Sequence, residues 1–474
     1  MVVVGAGGAG LYAALTAAAE GAAVILVAAT PLAQTASYWA QGGLAAALSA
    51  GDSPDLHRQD TEAAGRRAVR RSAANVLVRE APHAVTDLEH LGVRFDTDGH
   101  GRLALGLEGG HSHRRVAHAG GSATGRRVVR QLSAVVAEDP RISVLERARA
   151  AAVWIVDGRC RGVVLKDGRD ISARATILAT GGAAAMWSRT TNPPGSVGQG
   201  MLLAHAAGAA VADLEFVQFH PTAVIGIVGR EGYLVTEAIR GEGATLHDAF
   251  GERFVDELAP RDEVSRAVHA TMREQDATHV DLDMRAIDMA RFPNVVGSLR
   301  DAGLDPATTR IPVAPAAHYV MGGIVADLDG ATSVPGLYAV GESSCTGLHG
   351  ANRLASNSLS ECFVWGRRAA LAGLQEPDPG PAGPAPAAAP IAYPSRATQE
   401  ALWMHAGVER TRHGLTALLE DEHPLARLVA RCALLREETR GAHRRSDFPD
   451  TEPALDGRHA VVRGEHEPVS EPWS

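Results

Sequence analysis

Lysine occurs once in this chain, at Lys166, although 46 residues are lysine or arginine. That near-exclusive use of arginine reads as compositional bias and nothing more. Cysteine is also sparse: Cys160, Cys345, Cys362 and Cys432 form no C-x-x-C pair, so neither a zinc site nor a disulfide framework is indicated. No apolar run reaches transmembrane length. The first residues lack the basic flank of a signal peptide and open directly in a strand pattern. Excess positive charge is missing too. A formal net charge of -9 gives no reason to expect nucleic acid or an anionic membrane surface as a partner. These absences point to a reduced, cytoplasmic enzyme without a metal.

The chain is long enough, at 474 residues, for about three domains and a large core. Its 45% hydrophobic and 21% charged residues are ordinary for a globular protein. The organising stretch is MVVVGAGGAG at the start. Val2 to Val4 read as a buried strand, and Gly5, Gly7 and Gly10 give the spacing G-x-G-x-x-G. An Ala-rich helix is expected from Leu11 to Ala19 with Gly21 as its stop, then a second strand at Val24 to Val27. In such a unit the glycines permit a tight turn and close approach of a pyrophosphate, which the helix N-terminus favours. A Gly-rich turn with no ligand is the plainer alternative. The ribose-binding acid usual about 20 residues on is missing, because Ala28, Ala29 and Thr30 stand there. A dinucleotide therefore fits better than a standard NAD site.

Further along, a small-residue loop ends in Gln41-Gly42-Gly43. Helices are expected between Ser53 and Gly92, with Ser53 and Ser72 as N-caps and Gly65 and Gly92 as stops. The polar segment EGGHSHRRVAHAGG crowds His111, His113 and His118 together, but no Asp or Cys supports a metal there; an active-site loop is the better reading. A helix from Thr124 to Glu138 precedes hairpin strands turning at Asp157-Gly158 and Asp167-Gly168. A strand then ends in the turn Ala179 to Gly182. Near the C-terminus, EPDPGPAGPAPAAAP reads as a linker, followed by an amphipathic helix over ALWMHAGVERTRHGL and another through Arg440.

The N-terminal fingerprint, the LATGG strand end and the late LYAVGE strand together resemble FAD enzymes of the two-dinucleotide-fold group. QFHPT, LVTEAIRGEGATL, ELAPRDEVSRA, AAHYVMGG and GLHGANRLASNSLSE follow in that order, and with them the chain resembles the succinate dehydrogenase/fumarate reductase flavoprotein family from Val2 to about Pro449. EGGHSHRR and TGLHGANRLASNSL look most like the branch that oxidises L-aspartate. The resemblance implies an α/β fold. A two-dinucleotide-binding, Rossmann-like FAD domain over 1–212 and 328–375 would carry an inserted α+β capping domain over 213–327. A Pro/Ala-rich linker, 376–394, and a short C-terminal helical region with a tail, 395–474, would complete it.

The same resemblance implies the site. Non-covalent FAD would be held by Gly5, Ala6, Gly7, Gly8, Ala9, Gly10, Ser37, Gln41, Gly42, Gly43, Ala151, Thr180, Gly181, Gly182, Glu342, Asn357, Ser358 and Leu359. Covalent members attach FAD through a histidine, and that place falls on Ala36. Ala29 and Gln199 replace a common Lys and Asp among the FAD contacts. His220 and Thr236 would take one carboxylate of a small dicarboxylate, and His318 and Arg353 the other. Arg suits such clamps through its bidentate geometry. Arg261 matches the family's proton-transfer arginine, and His220 and His318 complete the catalytic set. Glu108 stands where an α-ammonium group needs a partner that succinate and fumarate do not. Taken singly, His220 reads more readily as a core or surface histidine, a reading that HPT beside TEAIRGEGA reverses, and Glu108 equally as a solvated loop acid. A helix cap for Glu342 and surface ion pairs for Arg261 and Arg353 are the lesser alternatives.

The implied reaction moves hydride from Cα of L-aspartate to flavin N5, giving iminoaspartate, with O2 or fumarate as acceptor. It would be the first step of NAD biosynthesis through quinolinate, coupled to quinolinate synthase. Rival readings are a soluble fumarate reductase or succinate dehydrogenase flavoprotein, and a non-catalytic flavoprotein.

Overall fold

A computed structural model of the chain describes all residues except 379, 381 and 382. Those three fall within the expected linker, and that part of it lies outside the described residues.

The three valines Val2–Val4 are all buried, and their β-branched side chains suit the centre of a sheet covered on both faces. They pair in parallel with Val24–Val27 on one side and Thr176–Leu178 on the other. Ile142–Leu145 and Leu337–Ala339 complete five parallel strands. Each buried valine or leucine here contributes about 1.5–3 kcal/mol. The crossover helix Gly8–Ala19 is buried along most of its length. It packs on the helix Asn357–Leu374, with Tyr12 edge-on to Phe363 at 5.4 Å. Thus a helix more than 300 residues away in sequence shields the N-terminal unit. The helix Thr124–Glu138 and the strands on either side of Asp157 and Asp167 form as expected.

The middle of the chain builds a four-stranded antiparallel sheet of Val217–Val224, Ile311–Val320, Val280–Asp283 and Thr245–His247. The helices Arg261–Glu274 and Pro293–Arg300 contribute to its separate apolar cluster through Val264, Val268, Val295 and Leu299. QFHPT lies on the first of these strands, and AAHYV on the second.

Local details differ from expectation in four places. The stretch ALWMHAGVERTRHGL is not one helix: Arg396–His405 ends inside it and a separate helix, Arg412–Ala417, follows after a turn that places Gly407 against the Trp403 carbonyl. Ser53 caps the helix Pro54–Ala64 by accepting from the Leu56 N–H, but the next helix begins at Arg71. Ser72 is therefore inside it, and its hydroxyl donates to the Ser474 carbonyl at 2.6 Å. The last long helix ends at Leu435, short of Arg440. Beyond it, Arg436 is buried between Glu215 (2.6 Å) and Glu438 (3.0 Å), and charges with those partners cannot lie on a solvated helix face. Finally, the C-terminal region holds more than helices. Arg458–Val462 and Val469–Pro472 form a hairpin that pairs with Val211–Ala212. Arg410 also donates to the Glu215 carbonyl at 2.6 Å. The chain end thereby braces the segment just before Gln218 and His220. Among the described residues no helix is long and apolar enough to cross a membrane.

Candidate active site

A cavity of about 320 Å³ runs from the N-terminal glycine turn to the antiparallel sheet. That volume falls within the usual range of small-molecule and cofactor sites. One end is walled by Gly5, Ala6, Gly7, Gly8 and Ala9, with Ala29, Thr30 and Arg149 nearby in the lining. Ala36, Ser37, Gln41, Gly42, Gly43, Thr180, Gly181, Glu342, Ser358 and Leu359 follow. The other end holds Glu108, His220, Thr236, Glu237, Arg261, His318 and Arg353. Residues scattered from 5 to 359 thus meet in one space.

Four residues expected at the cofactor are not in the lining. A Cβ at Gly10 would stand 1.8 Å from the Gly5 carbonyl, so this glycine seats the helix on the strand turn. A Cβ at Gly182 would lie 2.1 Å from Glu342 Oε1; its role is to leave room for that carboxyl. Ala151 is buried within the strand Ala150–Val156. Asn357 turns its amide away, to His57 Nε2 at 2.8 Å and Thr61 Oγ1 at 3.1 Å. Gln199 is also absent from the lining, because its amide donates to the Ala150 carbonyl at 3.2 Å.

Two histidines face each other in the polar end, with ring centroids 5.2 Å apart. Burial, then the neighbouring Arg261, holds both well below the usual imidazole range, so both are neutral. His220 Nδ1 accepts from the Thr222 N–H at 3.3 Å, which leaves the proton on Nε2 as a donor. Thr191 Oγ1 meets His318 Nδ1 at 2.8 Å and orients the second ring.

Two guanidiniums flank one acid that the sequence motifs contained but did not single out. Glu237 Oε2 accepts from Arg261 Nε at 2.6 Å, and Arg240 Nη2 lies 3.7 Å from Oε1. Burial pushes the Glu237 carboxyl up, but Arg261 and Arg240 outweigh it and hold it at about 2. Gln218 Oε1 accepts from both Arg261 Nη1 (3.1 Å) and Arg353 Nη2 (3.0 Å), spacing the two cations. Arg353 is only 4% exposed, sits 4.7 Å from the Tyr319 ring centroid, and has no carboxylate in salt-bridge contact among the described residues. Burial and Arg261 lower it to about 10, so it remains charged at neutral pH. A buried guanidinium without a counter-ion is costly unless a ligand supplies the anion.

Glu108 reaches the same cavity from the loop before the strand Val116–Ala117. Its Oε2 accepts from Ser356 Oγ at 2.6 Å, and His118 Nε2 stands 3.8 Å from Oε1. The three loop histidines do separate things: His111 meets the Ala355 carbonyl at 2.8 Å and His113 meets Ser112. Glu342 accepts from the Val320 N–H at 3.1 Å, and burial raises it to about 8. A neutral carboxyl there can donate as well as accept.

The cavity's glycine end fits a dinucleotide. Ser37 Oγ accepts from the Gly8 N–H at 3.1 Å, so the loop after the second strand closes over the glycine turn. Glu342, Ser358 and the backbone at Thr180-Gly181 line the stretch beyond. The fold and this cavity define a flavoprotein oxidoreductase. The family model described as "FAD binding domain" matches residues 1–359, and that described as "Fumarate reductase flavoprotein C-term" matches 419–470. A quinol-fumarate reductase structure aligns over 100% of this chain and 97% of its own with TM-score 0.89 at 28% identity. The chain belongs to the succinate dehydrogenase/fumarate reductase flavoprotein family. The L-aspartate oxidase of Caulobacter vibrioides is 45% identical over 98% of this chain and 97% of its own length. That of Streptomyces coelicolor is 41% identical over 98% and 91%. Within the family, the chain therefore belongs to the L-aspartate oxidases.

Proposed function

We propose that the chain catalyses FAD-dependent oxidation of L-aspartate to iminoaspartate, with O2 or fumarate taking the electrons. The observation that carries this reading is one cavity that holds both Arg353, buried without an acid partner, and the Glu108 carboxylate. A ligand satisfying both carries at least one carboxylate and one cation.

FAD, when bound, supplies the hydride acceptor. Arg353 and the Nε2–H of His220, with His318 and Thr236, hold the two carboxylates, and Glu108 holds the α-ammonium. Arg261, hydrogen-bonded to Glu237 and through it near Arg240, carries charge and proton between the substrate and the interior. Residues 213–327 act as a cap that excludes water over the reacting atoms. We also place the enzyme in the cytoplasm, in the first step of NAD biosynthesis, with its labile imine product passing to quinolinate synthase.

The test is turnover of purified, FAD-supplemented protein. L-Aspartate should yield H2O2 and ammonia, with succinate inert. Succinate oxidation without aspartate turnover would instead support the succinate dehydrogenase reading. The lining at Ala36 offers no ring nitrogen for a covalent flavin link. Acid precipitation should therefore leave the yellow chromophore in the supernatant, and flavin retained in the pellet would contradict non-covalent binding.

A further inference from the structure

Ser356 immediately precedes the helix Asn357–Leu374, the place where a serine normally caps the helix by accepting from its first free N–H groups. This serine makes no capping bond. Its backbone has φ +60°, in the left-handed region that non-glycine residues seldom occupy. A residue that forgoes its cap and holds an unfavourable conformation is a place to look for function.

Its hydroxyl is engaged elsewhere. Ser356 Oγ accepts from the Gly43 N–H at 3.1 Å and stands 2.6 Å from Glu108 Oε2. A hydroxyl has one hydrogen. With the lone pair taken by Gly43, that hydrogen goes to Glu108, so Oε2 is an acceptor held in one direction. Glu108 Oε1 makes no hydrogen bond within the chain among the described residues, and Glu108 lines the cavity.

The strained turn is itself clamped. The Ala355 carbonyl meets His111 Nε2 at 2.8 Å, and the Ala45 N–H donates to the Ser356 carbonyl at 3.3 Å. Arg115 Nη1 donates to His111 Nδ1 at 3.2 Å, which leaves the imidazole proton on Nε2 for Ala355. Arg115 is fully buried against Asp52 (2.8 Å) and Asp60 (2.5 Å). The Glu108 loop and the turn carrying Arg353 and Ser356 therefore lock each other.

We propose that Ser356 is the positioning residue that orients the Glu108 carboxylate toward the substrate's α-ammonium group. Because Arg353 lies three residues earlier on the same turn, the cation that grips a carboxylate and the acid that reads the amino group are held in fixed relation. The inference rests on Glu108 reading the amino group.

The experiment measures kcat/KM for L-aspartate and for fumarate in five forms: the unaltered enzyme, Ser356→Ala, Ser356→Gly, Glu108→Gln and the Ser356→Ala/Glu108→Gln double variant. Ser356→Ala should lower the aspartate-to-fumarate ratio about 10-fold, the scale of one charge-assisted hydrogen bond. In the Glu108→Gln background the same change should shift the ratio no further, because both act on one contact. Ser356→Gly should shift the ratio as Ser356→Ala does, yet melt at a higher temperature, since glycine accepts φ +60° without strain. An unmoved ratio in Ser356→Ala, with Glu108→Gln shifting it, overturns the proposal and leaves the role of Glu108 standing. Multiplicative losses in the double variant, or a ratio that tracks melting temperature across Ala and Gly, also overturn it. A ratio unmoved by Glu108→Gln removes the role of Glu108 and the proposal together.

Discussion

Replacing Arg261 by leucine is expected to lower kcat for fumarate reduction by about 10²–10⁴-fold, the contribution of a positioned acid–base group, while KM moves far less. The geometry sets this expectation. Arg261 begins the helix Arg261–Glu274, and its Nε and Nη1 are committed to Glu237 and Gln218. Its remaining Nη2 makes no hydrogen bond within the chain among the described residues, and the residue lines the cavity. The fumarate dianion itself is held by groups the substitution leaves in place, His220, His318 and Arg353. What is lost is the proton path through Glu237 toward Arg240. Arg353→Leu should do the reverse and raise KM roughly 10²-fold, as expected for a lost charge-assisted pair of ~3 kcal/mol. Steady-state kinetics with both variants separates the roles. A raised KM with normal kcat in Arg261→Leu would make it a second clamp.

The sharper discrimination is expected from Glu108→Gln. The shape is kept and the charge removed, so the α-ammonium of aspartate loses a charge-assisted hydrogen bond worth about 1.5–3 kcal/mol. The kcat/KM for L-aspartate should fall about 10- to 100-fold. Fumarate loses no contact and is relieved of a nearby negative charge, so its kcat/KM should not fall. Glu108→Gln thus lowers the aspartate-to-fumarate ratio, which a general loss of folding cannot do. Equal losses for both substrates in Glu108→Gln would mean that the carboxylate does not read the amino group.

Much of the candidate site was legible because its residues lie in compact motifs. His220, Thr236, Arg261, His318, Arg353 and Glu108 each sit in a distinct stretch, and the structure brings all six to one cavity. The partners that tune them were less visible. Glu237 and Gln218 lie inside quoted motifs, TEAIR and QFHPT, but their importance depends on which cation reaches them through space. Ser356 lies inside GLHGANRLASNSLSE with no role of its own in the sequence reading; only its φ and the approach of Glu108 mark it out. Asn357 and Gly10 show the converse, since both belong to cofactor motifs and yet neither lines the cavity: Asn357 hydrogen-bonds His57 and Thr61, and Gly10 sits against the Gly5 carbonyl.

By itself the sequence determined the local units. Alternation of valine runs, glycine turns and Ala-rich helices specified the parallel sheet and its first crossover, because backbone conformation and burial pattern are short-range properties. The ordered motifs carried the family, the cofactor and the substrate class. Only the tertiary structure decided which charges meet. Pairing of Arg436 with Glu215, of Arg261 with Glu237 and of Ser356 with Glu108 spans 221, 24 and 248 residues. The strength of each pair depends on distance and on exclusion of water, and neither is written in residue order.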